Sequence, residues 1–248
     1  MQLPLNQPVL IVGATSAIAK AIAQQLAERG QNLLLAARNT ASLEQEAQDL
    51  RLRFNITVKT YAFDADQLDT HDDFSASVIA EKPAGLIVAF GDTMDLDMTE
   101  GSTEKTLQNI YRNYAGVVTI TDRLSEFFRA RKSGFIAGIS SISGDRGRKK
   151  NYHYGAAKAG MSVYLDGLRN ACFNDKVHVL TIKPGFVDTP MTFGKVDSPL
   201  TAKPAYVAKT IIRAIEKEKN TLYTPWFWRW IMLVIKCIPE VLFKRMSL

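Results

Sequence analysis

The chain is poor in cysteine, with two residues, Cys172 and Cys237. Two thiols in 248 residues build no disulfide framework. No CxxC or Cys/His cluster offers a metal site, so both are expected as neutral thiols. Charge of one sign is also scarce. The excess is +6, from 31 basic and 25 acidic residues, and the basic ones are spread along the chain. That argues against nucleic acid and leaves only a mild pull on anions. Long apolar runs are missing. The strongest, after Trp226, is broken by Arg229, Lys236 and Pro239 and is short of the ~20 residues a spanning helix needs. Residues 1–8 carry no basic segment ahead of an apolar stretch. No signal peptide is expected, and the body of the protein is expected in the cytoplasm. No internal repeat or low-complexity tract is present.

What remains is an ordinary globular composition, 46% hydrophobic and 23% charged, in a length that suits one α/β domain. Val9-Leu10-Ile11-Val12 reads as a buried strand, 17–29 as a helix stopped by Gly30, and Leu33-Leu34-Leu35-Ala36-Ala37 as a second strand. Ser42-Leu43-Glu44-Gln45 has capping-box spacing and opens a helix toward Phe54. A strand at 57–63, a helix at 67–80 and a strand at Leu86-Ile87-Val88-Ala89 follow. The second half repeats the rhythm: a long helix at 103–131, a strand at 134–139, a helix at 152–173 and a strand at 177–182. A helix at 204–217, with Pro204 at its start, leads to a last strand at Leu222-Tyr223. This alternation predicts an α/β fold: a single doubly wound Rossmann-type domain over 1–225, its parallel sheet flanked by helices. An apolar, basic C-terminal helix follows in a tail at 226–248. On such sheets ligands bind beyond the C-terminal ends of the strands.

The segments after the strands carry the chemistry. After the first comes Gly13-Ala14-Thr15-Ser16-Ala17-Ile18-Ala19. Small residues there let the backbone approach a pyrophosphate, and a helix N-terminus favours its charge. Gly13, Thr15, Ser16, Ala17 and Ile18 are the candidates, although a plain strand-to-helix turn fits the same residues. After the second strand stands Arg38, where sites that prefer NAD carry Asp or Glu; an Arg can pair with a 2′-phosphate, or simply be solvated. Asp64 closes the third strand, and can accept a bond from an adenine amino group or cap a turn.

Tyr154-Gly155-Ala156-Ala157-Lys158 puts Tyr and Lys at i and i+4, on one helix face. Ser141 lies just past the fifth strand. Reduction of a ketone puts negative charge on its oxygen. A Tyr hydroxyl can donate the proton, a Lys ammonium can stabilise the phenolate and lower its ordinary pKa of about 10, and a Ser hydroxyl can hold the carbonyl.

Together these residues resemble the short-chain dehydrogenase/reductase family from Pro8 to Tyr223. The family's glycine-rich turn matches Val12 to Ala19, and its active-site Ser, Tyr and Lys match Ser141, Tyr154 and Lys158. Its helix Asn, which supports a proton relay through a water, matches Asn113. Its proline-glycine motif matches Pro184-Gly185-Phe186-Val187-Asp188-Thr189, with Val187 and Thr189 near a nicotinamide amide. The resemblance implies a hydride-transfer enzyme acting on a carbonyl/alcohol pair, an oligomer of two or four subunits, and no metal. Tyr154 and Lys158 would also touch the cofactor. NADP, as NADPH, is expected ahead of NAD. Two departures stand out. Ala17 and Ala19 replace glycines, and Val88-Ala89-Phe90-Gly91 replaces an Asn-Asn-Ala-Gly segment, with Gly91 kept at the cofactor. The turn, the Ala89-Phe90-Gly91-Asp92 segment and the tail are similar to a branch that includes the keto-reductase partner of decaprenylphosphoryl-ribose 2-epimerase. That branch implies a lipid-linked keto sugar, or another lipophilic ketone, as the small-molecule substrate.

Three features lie outside these motifs. Arg146, Arg148, Lys149 and Lys150 form either an anion-attracting mouth or a solvated loop. The stretch 185–203 is long for a loop and suggests a lid. In the tail, Arg229, Lys236, Glu240 and Lys244 share one narrow face of a helical wheel amid Trp and aliphatic residues. This suits peripheral contact with a membrane interface, or packing on the body or a partner subunit. A nucleotide-binding sensor or membrane-associated scaffold without turnover is the rival function. An epimerase or dehydratase is a third, but those usually belong to longer chains.

Overall fold

A computed structural model describes residues 3–92, 101–189 and 199–246. Among the described residues, strands β1 (Val9–Val12), β2 (Leu33–Ala37), β3 (Val58–Ala62), β4 (Gly85–Val88), β5 (Gly134–Ile139), β6 (Val177–Pro184) and β7 (Thr221–Thr224) form one sheet. Its order is β3-β2-β1-β4-β5-β6-β7, and every neighbouring pair is parallel. The central strands are buried along their whole length. Apolar runs such as Val9-Leu10-Ile11-Val12 suit a sheet covered on both faces.

Helices α1 (Ala17–Ala27), α2 (Thr40–Phe54) and α7 (Pro204–Glu216) cover one face. Ile22, Leu26, Leu43, Leu50, Ile211 and Ile215 pack there on Val9, Ile11 and Leu35. Helices α3 (His71–Ala80), α5 (Gly116–Arg131) and α6 (Tyr152–Cys172) cover the other, with Ile120, Leu124, Phe128, Met161 and Leu165 against Leu10, Val12 and Ile136. Each fully buried Leu, Ile or Phe contributes about 1.5–3 kcal/mol through removal from water. The order reverses direction between β1 and β4, which opens a crevice at their C-terminal ends.

Local departures from the expected elements have local causes. α2 starts before Ser42, because the side chain of Asn39 accepts from the Ser42 amide and is the cap. A 3₁₀ turn, Leu68–Thr70, precedes α3. The expected helix 103–131 is interrupted: α4 (Thr103–Ile110) and α5 are joined by a π-helical turn, Tyr111–Ala115. The tail is two helices, α8 (Trp228–Cys237) and α9 (Glu240–Phe243), broken at Ile238-Pro239, where Pro cannot continue a helix. Residues 190–198 of the lid expected at 185–203 lie outside the described residues, but a bridge between Val187 and Ala202 closes its base.

Candidate active site

The turn after β1 depends on close approach. Gly13 has φ +82°, and a Cβ there would meet the Phe90 amide N at 2.5 Å, so the turn lies against the segment after β4. Ser16 caps α1 by accepting from the Ala19 amide at 3.2 Å. The first N–H groups of a helix have no intrahelical acceptor, so Ala17 and Ile18 offer a cradle of donors for a phosphate. Ala19 is fully buried in the core, which is where the methyl goes that the glycine pattern lacks. Thr15 is exposed. Arg38 is exposed just beyond β2, without an ion pair to another described residue. Asp64 serves its own turn: one carboxylate oxygen accepts from the Asp66 amide at 3.1 Å. These small residues, donors and an exposed cation fit a dinucleotide.

Gly91 joins the two halves of the crevice. Its φ is +153°, and a Cβ would lie 2.7 Å from Asn113 Oδ1 and 2.9 Å from Lys158 Nζ. Asn113 is wholly buried in the π turn. Its Nδ2 donates to the carbonyl oxygens of Asp92 (2.9 Å) and Asn109 (3.1 Å), and its Oδ1 accepts from the Asp92 amide (3.1 Å). Its side chain is therefore a clamp on the segment after β4. Phe90 in that segment adds ring packing on Phe63 at 5.3 Å. Asp92 also pairs with Arg112, which holds Asp66 at 2.7 Å.

Ser141, Tyr154 and Lys158 come together at the C-terminal edge of β5. Ser141 starts a 3₁₀ turn, Ile142–Gly144, and its Oγ accepts from the Ser143 amide at 3.0 Å. Two glycines allow this turn to touch α6. A Cβ on Gly144 would meet the Lys158 backbone at 2.7 Å, and one on Gly155 the Ser143 carbonyl at 2.8 Å. Ser140 Oγ donates to the Lys158 carbonyl at 2.9 Å. Tyr154 is 9% and Lys158 2% exposed. Lys158 Nζ donates to the Ile139 carbonyl at 3.0 Å and lies 5.8 Å from the Tyr154 ring centroid.

Burial dominates both ionisations. It pushes the Tyr154 hydroxyl up to about 12, with Asp92 adding to the rise and Ser141 opposing it. Burial lowers Lys158 to about 8. The Tyr154 hydroxyl therefore lies above its ordinary value and not below it as expected, because desolvation outweighs the lowering from Ser141. At neutral pH Tyr154 keeps its proton and Lys158 is still largely charged, as a proton donor and its supporting cation require.

On the other side, Pro184 ends β6 and is buried, and the Gly185 amide donates to the Thr224 carbonyl at 3.0 Å. Val187 is 4% exposed and Thr189 half-buried. A Cβ on Gly185 would collide with the Trp228 indole. Trp228 and Met232 of α8 are buried with Ile142, against Phe186 and Tyr223. The inner face of the tail thus packs on the segments that frame Ser141 and Gly185. Arg146 is taken up by the tail, through its carbonyls and Glu240, and is not a solvated loop residue, and Arg148 donates to Ser143 Oγ at 3.3 Å. Lys149 and Lys150 are exposed.

A parallel doubly wound sheet with a Ser–Tyr–Lys site at its crevice defines a class of oxidoreductase. The short chain dehydrogenase family model matches residues 7–198. An uncharacterized oxidoreductase of Mycobacterium tuberculosis is 34% identical over 241 residues, covering 96% of each chain. Two solved structures share the fold. The bulky-bulky ketone specific alcohol dehydrogenase of Comamonas testosteroni has TM-score 0.82 at 18% identity, with 95% of this chain and 96% of that one covered. A short-chain dehydrogenase of Sphingobium yanoikuyae in complex with NADPH has TM-score 0.81 at 19% identity, with 94% and 97% covered. The chain belongs to the short-chain dehydrogenase/reductase family, and it is an oxidoreductase acting on carbonyl or alcohol groups.

Proposed function

We propose that this enzyme uses NADPH to reduce a lipophilic ketone, with a keto sugar carried on a lipid as the specific expectation. The observation that carries the reading is the buried Tyr154 beside Ser141 and Lys158, held protonated at neutral pH. A bound nicotinamide dinucleotide supplies the hydride. Gly13, Thr15, Ser16, Ala17 and Ile18 would hold its phosphates, and Arg38 and Asp64 its adenosine side. Gly91, Pro184, Gly185, Val187 and Thr189 would line the nicotinamide side. Ser141 holds the carbonyl oxygen, Tyr154 gives it the proton, and Lys158 stabilises the phenolate that remains and orients the ribose. Asn113 fixes the segment that carries Gly91.

The tail supports the lipophilic part of the proposal. Its outer face exposes Trp226, Trp230, Leu233, Val234, Val241 and Leu242, between the cations Arg229, Lys236, Lys244 and Arg245. We read 226–248 as an appendage of the 1–225 domain that rests on an anionic membrane surface, with the enzyme peripheral and oligomeric. No helix among the described residues is long and apolar enough to cross a membrane. The test is NADPH oxidation with short soluble ketones and with polyprenyl-phosphate keto sugars, beside flotation on phosphatidylglycerol liposomes. Preference for the lipid-linked substrate, with flotation lost in Trp226→Ser/Trp230→Ser, supports the reading. Preference for short ketones and no flotation would remove both the lipid substrate and the membrane.

A further inference from the structure

The turn that carries Ser141 continues into two charged residues that leave it in different directions. The Asp145 side chain is only 2% exposed. It accepts from Lys183 Nζ of β6 at 2.5 Å and from Tyr223 Oη of β7 at 2.7 Å. Arg146 reaches the tail instead. Its Nη1 donates to the carbonyl oxygens of Ile235 (2.6 Å) and Lys236 (3.2 Å) in the last turn of α8 and of Ile238 (2.6 Å), the residue that caps it. Its Nη2 meets Glu240 at 3.0 Å, and its guanidinium lies 3.7 Å from the centroid of the Phe243 ring.

The carbonyls at a helix C-terminus lack intrahelical donors and carry the negative end of the helix dipole. A planar guanidinium can donate to several of them at once and stack on a ring, which a Lys cannot. Glu240 is 75% exposed, so its ion pair adds little by itself. The carbonyl contacts and the ring make the joint. Trp228 and Met232 in the same helix pack on Ile142, the residue after Ser141. The turn is therefore gripped by β6 and β7 on one side and by the docked tail on the other.

We propose that Arg146 is a positioning residue for Ser141: by latching the C-terminal tail to the Ser141 turn, it makes the docked tail part of the carbonyl-holding device. The inference rests on the role assigned to Ser141 above. Ser141 Oγ accepts from the Ser143 amide, so that amide reports directly on where the hydroxyl is held.

The test uses the full chain. Amide hydrogen exchange is followed at Ser143 and Gly144 in wild type, Arg146→Gln and Phe243→Leu; the last keeps the Arg and changes only the tail side. Turnover is followed with NADPH and acetophenone, alone and in a Ser141→Ala background. Arg146→Gln is expected to speed exchange of both amides about tenfold and to lower kcat about tenfold at unchanged NADPH Kd. Phe243→Leu is expected to show a smaller shift in the same amides. In the Ser141→Ala background the further loss in kcat is expected to be under twofold, because both changes act on one group. Unchanged exchange at Ser143, or an equal loss with and without Ser141, overturns the latch. Wild-type kcat in Ser141→Ala overturns the role of Ser141 and the catalytic half of the latch with it, while the exchange data decide the structural half separately.

Discussion

The two sides of the crevice hold their loops by different means. On the β1–β4 side backbone approach places the segments, with one charged tie beside it: Gly13 lies against Phe90, Gly91 between Asn113 and Lys158, Asn113 clamps the Asp92 backbone, and Arg112 pairs with Asp66 and Asp92. On the β5–β7 side the segments are placed by charged side chains that cross long stretches of chain. Asp145 reaches residues 38 and 78 positions away, and Arg146 residues up to 97 away. Small residues at fixed local spacing place most of the first side, whereas only the tertiary fold brings the segments of the second together.

That contrast can be broken at several points. The largest effect is expected at Asp145. Asp145→Ala leaves Lys183 without its buried partner, and loss of one member of such a pair costs about 3–5 kcal/mol. Urea unfolding checks this, and a loss below about 1 kcal/mol would mean that the charged tie is incidental. Gly91→Ala is next. Its methyl would press on Asn113 and Lys158, and misplacement of catalytic groups by about an ångström costs about 100-fold in kcat; wild-type kcat would show that the β1–β4 side tolerates side chains where glycine stands.

Arg38→Asp is expected to cost about 1.5–3 kcal/mol of NADPH affinity through lost charge-assisted bonds, with NADH little changed or improved. Calorimetric titration of both cofactors reads it, and an unchanged preference would place the 2′-phosphate elsewhere. The smallest effect is in pH. Lys158 titrates near 8 and carries its charge below that value, so the reductive rate should fall as pH rises through about 8 while Tyr154, near 12, keeps its proton. A single-turnover rate that stays flat to pH 10 would contradict it.

Most of the fold was legible because buried parallel strands are short apolar runs and the helices between them have local stops. The Ser, Tyr and Lys were legible because two of them share a helix face and the third follows a strand. The π turn was not, since nothing in Tyr111-Arg112-Asn113-Tyr114-Ala115 marks it apart from the Asn that it aims at Asp92. Gly144 and Gly155 were visible as residues, but their purpose is the contact between the Ser141 turn and α6. The grip of Asp145 and Arg146 had no local signal. A basic loop and an apolar tail looked like separate surface features, and their joint exists only in three dimensions.

The most direct test of the account is NADPH-dependent ketone reduction by Tyr154→Phe beside wild type, with NADPH affinity measured on both. A loss of about 100-fold or more in kcat at unchanged affinity is expected, the usual scale for removal of a general acid. Turnover close to wild type with the same substrate would contradict it, and the proton would have to come from another group.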